Sequence, residues 1–120
     1  MKIENLNRKN FKELVFDQVK KIPKGKVTTY GQISHKLRIK NGEDLVANGQ
    51  VRITPRMVGW ALHQNKSADI PCHRVVDRNG RLASNFAFNG WKEQRRRLLL
   101  EGVNFKDDMH IDLGKNLWHL

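Results

Sequence analysis

The chemistry available to this chain concentrates at Cys72, the only cysteine in 120 residues, which follows Pro71 and precedes His73 and Arg74. A thiolate is a far stronger nucleophile than a thiol, and a nearby imidazole or guanidinium favours the ionised form. The stretch therefore points to nucleophilic chemistry at sulfur. The competing reading is a small, buried, inert apolar residue, which is what a lone intracellular cysteine commonly is. Side chains adjacent on an extended segment face opposite ways, so Cys72 and His73 can cooperate only across a bend or through a water.

Length and composition bound the rest. A chain of 120 residues with 38% hydrophobic content predicts one domain spanning residues 1–120, with a single modest core. One cysteine excludes an internal disulfide, and no cysteine cluster is present to bind a structural zinc; the chemistry of a lone nucleophilic sulfur requires no metal or organic cofactor. No secretory signal or membrane-length apolar run is visible, which predicts a cytoplasmic protein with no membrane partner. The 23 Lys and Arg against 12 Asp and Glu leave a net charge of +11. That predicts a polyanionic partner, and by itself it does not separate DNA from RNA or an acidic protein.

Hydrophobic spacing supplies the elements that must position the cysteine. Phe11, Leu14, Val15, Val19 and Ile22 recur at helical intervals, and Pro23, Lys24 and Gly25 stop that helix. Thr28 or Thr29 can cap a second helix through Gln32, Ile33 and Leu37, and Thr54-Pro55 opens a third. Two short helices in succession suggest a helix-turn-helix variant, joined through residues 38–52, where Asn41-Gly42 and Asn48-Gly49 signal turns. After the cysteine, Arg74-Val75-Val76 reads as a strand, Asp77-Arg78-Asn79-Gly80 as a turn and Arg81-Leu82 as the returning strand. Residues 90–100 regain helical character, with Trp91, Arg95, Leu98 and Leu99 on one packed face and Gly102 as terminator. The tail, residues 103–120, carries Val103, Phe105, Ile111, Leu113 and Trp118 and is expected to pack on the body. The fold class is α/β: short helices, including the helix-turn-helix variant, packed on a small strand pair.

Ile70-Pro71-Cys72-His73-Arg74-Val75-Val76 resembles the active-site signature of the O6-alkylguanine-DNA alkyltransferases. Three further stretches of that family's pattern occur in the same order: residues 22–31 (Ile-Pro-Lys-Gly-Lys-Val-Thr-Thr-Tyr-Gly), 56–62 (Arg-Met-Val-Gly-Trp-Ala-Leu) and 99–103 (Leu-Leu-Glu-Gly-Val). The resemblance covers residues 11–102 and implies a protein that flips O6-alkylguanine out of duplex DNA and moves the alkyl group onto its own cysteine. It implies Cys72 as nucleophile, His73 as base acting through a water, and Glu101 as the group orienting that imidazole, with Glu93 as the fallback. It implies Tyr30 as hydroxyl donor to the modified base, and Asn65 as the tie between the second of the two helices and the active-site strand. Arg56 would fill the space vacated by the flipped nucleotide, and Gly59 and Ala61 would allow the minor-groove backbone to approach. Lys24, Lys26, Arg52, Arg74 and Lys92 are candidate phosphate contacts.

Two departures from the family matter. The region 38–52 is longer than the usual connection, and Asn85-Phe86-Ala87-Phe88-Asn89-Gly90 replaces the usual base loop, placing Phe86 or Phe88 where they could pack on the flipped base. The short form with its Ile111-Asp112-Leu113 tail is also similar to the alkyltransferase-like proteins, which bind alkylated guanine without repairing it and hand it to excision repair. Those proteins usually carry tryptophan or alanine where Cys72 stands here. The expectation is thus a monomeric, single-turnover cysteine methyltransferase acting on double-stranded DNA from the minor groove, nucleoid-associated when bound. The alternative is a non-enzymatic lesion sensor with an excision-repair partner.

Overall fold

The computed structural model describes residues 8–40, 43–44, 49, 52–84 and 86–120. Helix α1 (Arg8–Val19) buries Phe11, Val15 and Val19 at four-residue intervals, and Ile22 is buried just past its end. Strand β1 (Thr28–Thr29) leads directly into α2 (Tyr30–Arg38), where the Thr29 hydroxyl caps the helix by accepting from the Gln32 backbone N–H at 3.1 Å. Helix α3 (Pro55–His63) starts as its Thr-Pro signal predicts, with the Thr54 hydroxyl accepting from the Met57 N–H at 3.3 Å. Helix α2 packs on α3 and α1 packs against both, giving the helix pair expected from the sequence.

The long connection begins with a short antiparallel pair, β2 (Ile39–Lys40) and β3 (Glu43–Asp44), clasped by Arg38 Nε donating to Asp44 Oδ1 at 3.0 Å. The predicted turn residues Asn41, Gly42 and Asn48 lie outside the described residues, as does Asn85 of the 85–90 loop.

The strand pairing differs from the expected hairpin. The Asp77 turn forms, with Asp77 Oδ1 accepting from the backbone N–H groups of Asn79 and Arg81. Yet β4 (Val75–Val76) pairs in parallel with β1, in the register Thr28↔Val75 and Thr29↔Val76, while Arg81 bridges His110 of the tail. Arg74 belongs to a 3-10 turn, Cys72–Arg74, rather than to the strand. The reason is burial on both faces. Val75 enters the apolar cluster of α1, α2 and α3, whereas Val76 enters a second cluster of Val27, Leu82, Leu98, Val103 and Ile111. A strand buried on both sides needs a partner that is itself interior, which Thr28 (0% exposed) provides and the exposed Arg81 does not.

Helix α4 (Trp91–Leu100) carries the second correction: Leu99 is 45% exposed, and the buried stripe runs through Gln94 and Leu98. The tail packs as expected. Ile111 and Val103 are buried, Leu117 bridges Val27, and α5 (Leu113–Asn116) buries Asn116. Among the described residues no helix is long and apolar enough to cross a membrane.

Gly80 closes the Asp77 turn at φ +81°, and a Cβ there would lie 2.5 Å from the Ile111 carbonyl oxygen. Gly80→Ala combines left-handed strain with a backbone clash, so it should lower stability by about 2–4 kcal/mol, read from urea denaturation midpoints.

Candidate functional site

Cys72 lines a pocket together with Tyr30 from α2, Gly59, Leu62 and His63 from α3, Ala83 and Phe86 from the following loop, and Gln94 from α4. The pocket is small and partly open to solvent. The sulfur therefore faces a cavity, although the residue itself is 5% exposed. The bend required for Cys72 and His73 to cooperate exists as the 3-10 turn, closed by the Arg74 N–H donating to Pro71 O at 3.0 Å.

His73 is held by Glu101. Its Nε2 lies 3.1 Å from Glu101 Oε2, and a carboxylate only accepts, so Nε2 carries the proton and Nδ1 keeps its lone pair. Arg74 binds the same carboxylate in a fork, Nε to Oε1 at 3.0 Å and Nη2 to Oε2 at 2.6 Å, while its Nη1 donates to Ile22 O at 2.8 Å. Gly25, at φ +84°, lets the turn after α1 approach this corner: a Cβ there would lie 3.1 Å from the Glu101 carbonyl oxygen. Glu93 serves elsewhere, bonded to Arg96 and Arg97.

Electrostatics divide the roles. Burial pushes the Cys72 thiol up, against smaller opposing effects of Asn65 and Arg97, so the resting residue at neutral pH is the thiol. Burial also lowers the His73 value, with Glu101 pulling the other way, so the resting imidazole is neutral and able to accept a proton. Burial opposes ionisation of Glu101, but its bonds from Arg74 and His73 prevail and hold its carboxyl below the ordinary range. Tyr30 is pushed up to about 12 by burial, then by Asp77 and Cys72, so its hydroxyl is a neutral donor.

Asn65 follows α3, donates from Nδ2 to Ile70 O at 3.2 Å and accepts from the Ser67 N–H at 2.9 Å, which ties the end of α3 to the segment entering Cys72. Gly59 faces the Tyr30 ring across the pocket wall, where a Cβ would come within 3.9 Å of the ring. Arg56 is exposed on the first turn of α3. Two expectations change. Ala61 is fully buried in the core, so it makes room for helix packing and does not meet a DNA backbone. Arg74, expected at phosphates, is turned inward onto Glu101 and Ile22. Lys24, Arg52 and Lys92 are exposed, and Lys26 Nζ reaches Lys115 O at 3.4 Å.

Three contributors escaped the sequence reading. Gln94, fully buried, donates from Nε2 to His73 O at 3.2 Å and Val75 O at 3.1 Å and accepts from the Ala83 N–H at 2.8 Å. It thereby joins the 3-10 turn, β4 and the loop that starts at Ala83. Its signal was a polar residue three after Trp91 and four before Leu98, on the buried stripe. Arg97, braced by Glu93 at 2.8 Å, stacks over Phe86 and Phe88 with Cζ 5.5 and 4.9 Å from the ring centres. Its signal lay in the replacement of the base loop by aromatic residues. His63 lines the pocket mouth from the last turn of α3, and nothing local to its sequence marks it. Among the described residues no group of three or more His, Cys, Asp or Glu side chains is placed to hold a metal ion.

The sequence matches the family described as 6-O-methylguanine DNA methyltransferase, DNA binding domain, over residues 10–103. It is 40% identical over 103 residues to a methylated-DNA--protein-cysteine methyltransferase of Candida glabrata, covering 82% of this chain and 42% of that protein. A Saccharolobus solfataricus protein of the same name is 38% identical over 104 residues, covering 86% and 58%. The chain thus spans about half the length of these relatives. Among solved structures it is similar to S. pombe Atl1 in complex with damaged DNA containing O6-carboxymethylguanine, with a TM-score of 0.72, 27% identity, and coverage of 96% of this chain and 100% of that one. It is also similar to Mycobacterium tuberculosis O6-methylguanine methyltransferase, with a TM-score of 0.58, 27% identity and coverage of 77% and 48%. The motifs quoted above and the pocket they enclose fall within the matched span, and the chain belongs to the family of the 6-O-methylguanine DNA methyltransferase DNA-binding domain.

Proposed function

We propose that this chain binds double-stranded DNA, swings an O6-alkylguanine into the pocket above Cys72, and takes the alkyl group onto its own sulfur. The observation that carries the reading is a thiol that lines a cavity, followed in the chain by a neutral imidazole that is itself anchored by a carboxylate only 9% exposed. In the step, the Cys72 proton passes through a water to His73 Nδ1, and Sγ attacks the alkyl carbon. The S–C bond forms as the C–O6 bond breaks, leaving its electron pair on the guanine. Tyr30 donates its hydroxyl to the base, where negative charge grows, and the guanine takes up one proton in place of the one Cys72 released, passed on by the Tyr30 hydroxyl, which is restored from the His73 imidazolium through solvent. Glu101 balances the imidazolium that forms, and Arg74 keeps Glu101 ionised. The alkylated cysteine has no route back, so each molecule reacts once.

Contacts to the duplex follow from α3. Arg56 occupies the space left by the nucleotide, Gly59 with Tyr30 and Phe86 walls the flipped base, and Asn65 keeps α3 in register with Cys72. Approach is from the minor groove and by a single copy of the chain, with exposed Lys24, Arg52 and Lys92 at phosphates. Such a protein works where the duplex is, in the cytoplasm and on the nucleoid. A second reading, a lesion sensor that passes the base to an excision-repair partner, is favoured by the end-to-end match to Atl1. Cys72 favours transfer.

Incubation with a duplex carrying one O6-methylguanine should add a single methyl mass to the peptide containing Cys72. Tight lesion binding with no mass gain assigns the sensor role instead. Cys72→Ser should reduce transfer at least a thousandfold while binding to the damaged duplex changes less than threefold, measured by gel-based transfer and fluorescence anisotropy.

The pH profile has a definite sign. Protonating His73 removes the base, so the transfer rate falls on the acid side, with its limb below the ordinary imidazole value of 6.5 because burial lowers His73. Only above pH 9 does the rate rise through direct ionisation of the Cys72 thiol, because burial lifts it above its ordinary value of 9.0. Glu101→Gln removes the charge that favours imidazolium, so it should move the acid limb lower still and slow transfer at pH 7 by roughly a hundredfold. Single-turnover rates against pH test both.

A further inference from the structure

Cys72 is 5% exposed and Phe86, in the same pocket, 7%, so the sulfur is nearly covered as the pocket stands. A flipped base can bring its alkyl group to that sulfur only if part of the lining gives way. Tyr30, Gly59 and Leu62 come from α2 and α3, which pack on each other, and Gln94 is fully buried on α4. The remaining wall, Ala83, Phe86 and Ala87, belongs to the loop that leads into α4. Its backbone ties are few: the Ala83 N–H donates to Gln94 Oε1 at 2.8 Å, the Phe86 N–H to Ala83 O at 3.2 Å and the Gly90 N–H to Phe86 O at 3.0 Å. Phe86 is therefore the side of the pocket that yields.

What resists that yielding is Arg97. Its Cζ lies over the Phe86 ring at 5.5 Å and over the Phe88 ring at 4.9 Å, and the two rings meet each other at 5.8 Å, tilted by 50°. One turn earlier on α4, Glu93 Oε2 accepts from Arg97 Nε at 2.8 Å and fixes the guanidinium over the rings. The Arg97 side chain is 31% exposed, so the cation is partly withdrawn from water, which strengthens its attraction to the ring faces. A pair of loop aromatics is thus clamped to a helix by a charge that is itself braced. Swinging Phe86 outward gives up the stacking on Arg97, and a larger swing gives up more of it. A methyl group on the base asks for a small displacement, a benzyl group for a large one.

Resting on the functional reading above, we propose that Arg97 is a specificity-determining residue: by clamping Phe86 and Phe88 it limits how far the pocket opens, and so selects small O6-alkyl groups over bulky aromatic ones. It acts through the rings, as a positioning residue, and not on the base.

The test uses the full chain and two duplexes, one with a single O6-methylguanine and one with a single O6-benzylguanine, and reads the ratio of their single-turnover transfer rates. The different intrinsic reactivity of the two alkyl carbons is common to every variant, so it cancels when ratios are compared. Arg97→Ala should raise the benzyl-to-methyl ratio roughly tenfold, the range of one lost cation–ring contact. Arg97→Lys keeps a cation at the rings and should shift the ratio less than about threefold. Arg96→Ala removes the other partner of Glu93, a side chain 61% exposed, and should leave the ratio unchanged. If Arg97→Ala does not fold, Glu93→Ala takes its place: it leaves the guanidinium unbraced and should raise the ratio about fivefold. A ratio that stays within about twofold of the unsubstituted protein's in the folded variant, or that rises as much in Arg96→Ala, overturns the clamp while transfer itself upholds the functional reading. No transfer from either duplex by the unsubstituted protein overturns the functional reading and the clamp with it.

Discussion

One buried carboxylate organises this molecule. Glu101 sits just past α4, yet it receives the Arg74 fork and the His73 imidazole from the 3-10 turn, and Arg74 extends the connection to the Ile22 carbonyl after α1. The side chains are 9–16% exposed, a setting in which charges are costly unless each is matched. Removing Arg74 or Glu101 would strand the other's charge, so the orientation of the His73 imidazole is bound to the packing of three separate segments. A group that must accept a proton on demand needs a fixed orientation, and this arrangement supplies it at no reorganisation during reaction.

Around that corner the two apolar clusters are divided by the two-residue strands β1 and β4. Period-two alternation sends Val75 to one cluster and Val76 to the other, so a minimal ladder sets the position of Cys72 relative to both. Gln94 serves the same end with polar contacts, satisfying two carbonyls and one N–H that the short strands leave over. The pocket is what remains between α2, α3 and the 83–88 loop. Its lining mixes the apolar Leu62, Ala83 and Phe86 with the polar Tyr30, His63 and Gln94, and Arg97 stacks on the aromatic wall.

Wherever a local rule acts, it is visible in the residues themselves. Thr29 and Thr54 cap the helices their side chains can cap, the four-residue apolar spacing of α1 becomes its buried face, and Gly102 follows α4 in the left-handed region at φ +84°. The motif order likewise marks Cys72, His73 and Glu101 as one group before any fold is known. Where partners compete, local reading fails. Asp77 and Gly80 form the turn of a hairpin, but a buried interior strand was available to Val75 and Val76 and an exposed one was not, so β1 became the partner.

The chain's own pattern therefore determined which segments are helical, where they begin, and which residue could be a nucleophile, because caps, spacing and side-chain chemistry act over a few residues. Tertiary structure alone decided that Arg74 turns inward to Glu101, that Ala61 is core, and that Gln94 and Arg97 shape the site. Those outcomes depend on which surfaces meet between segments distant in the chain, and the loss of water at each meeting, rather than any local preference, sets them.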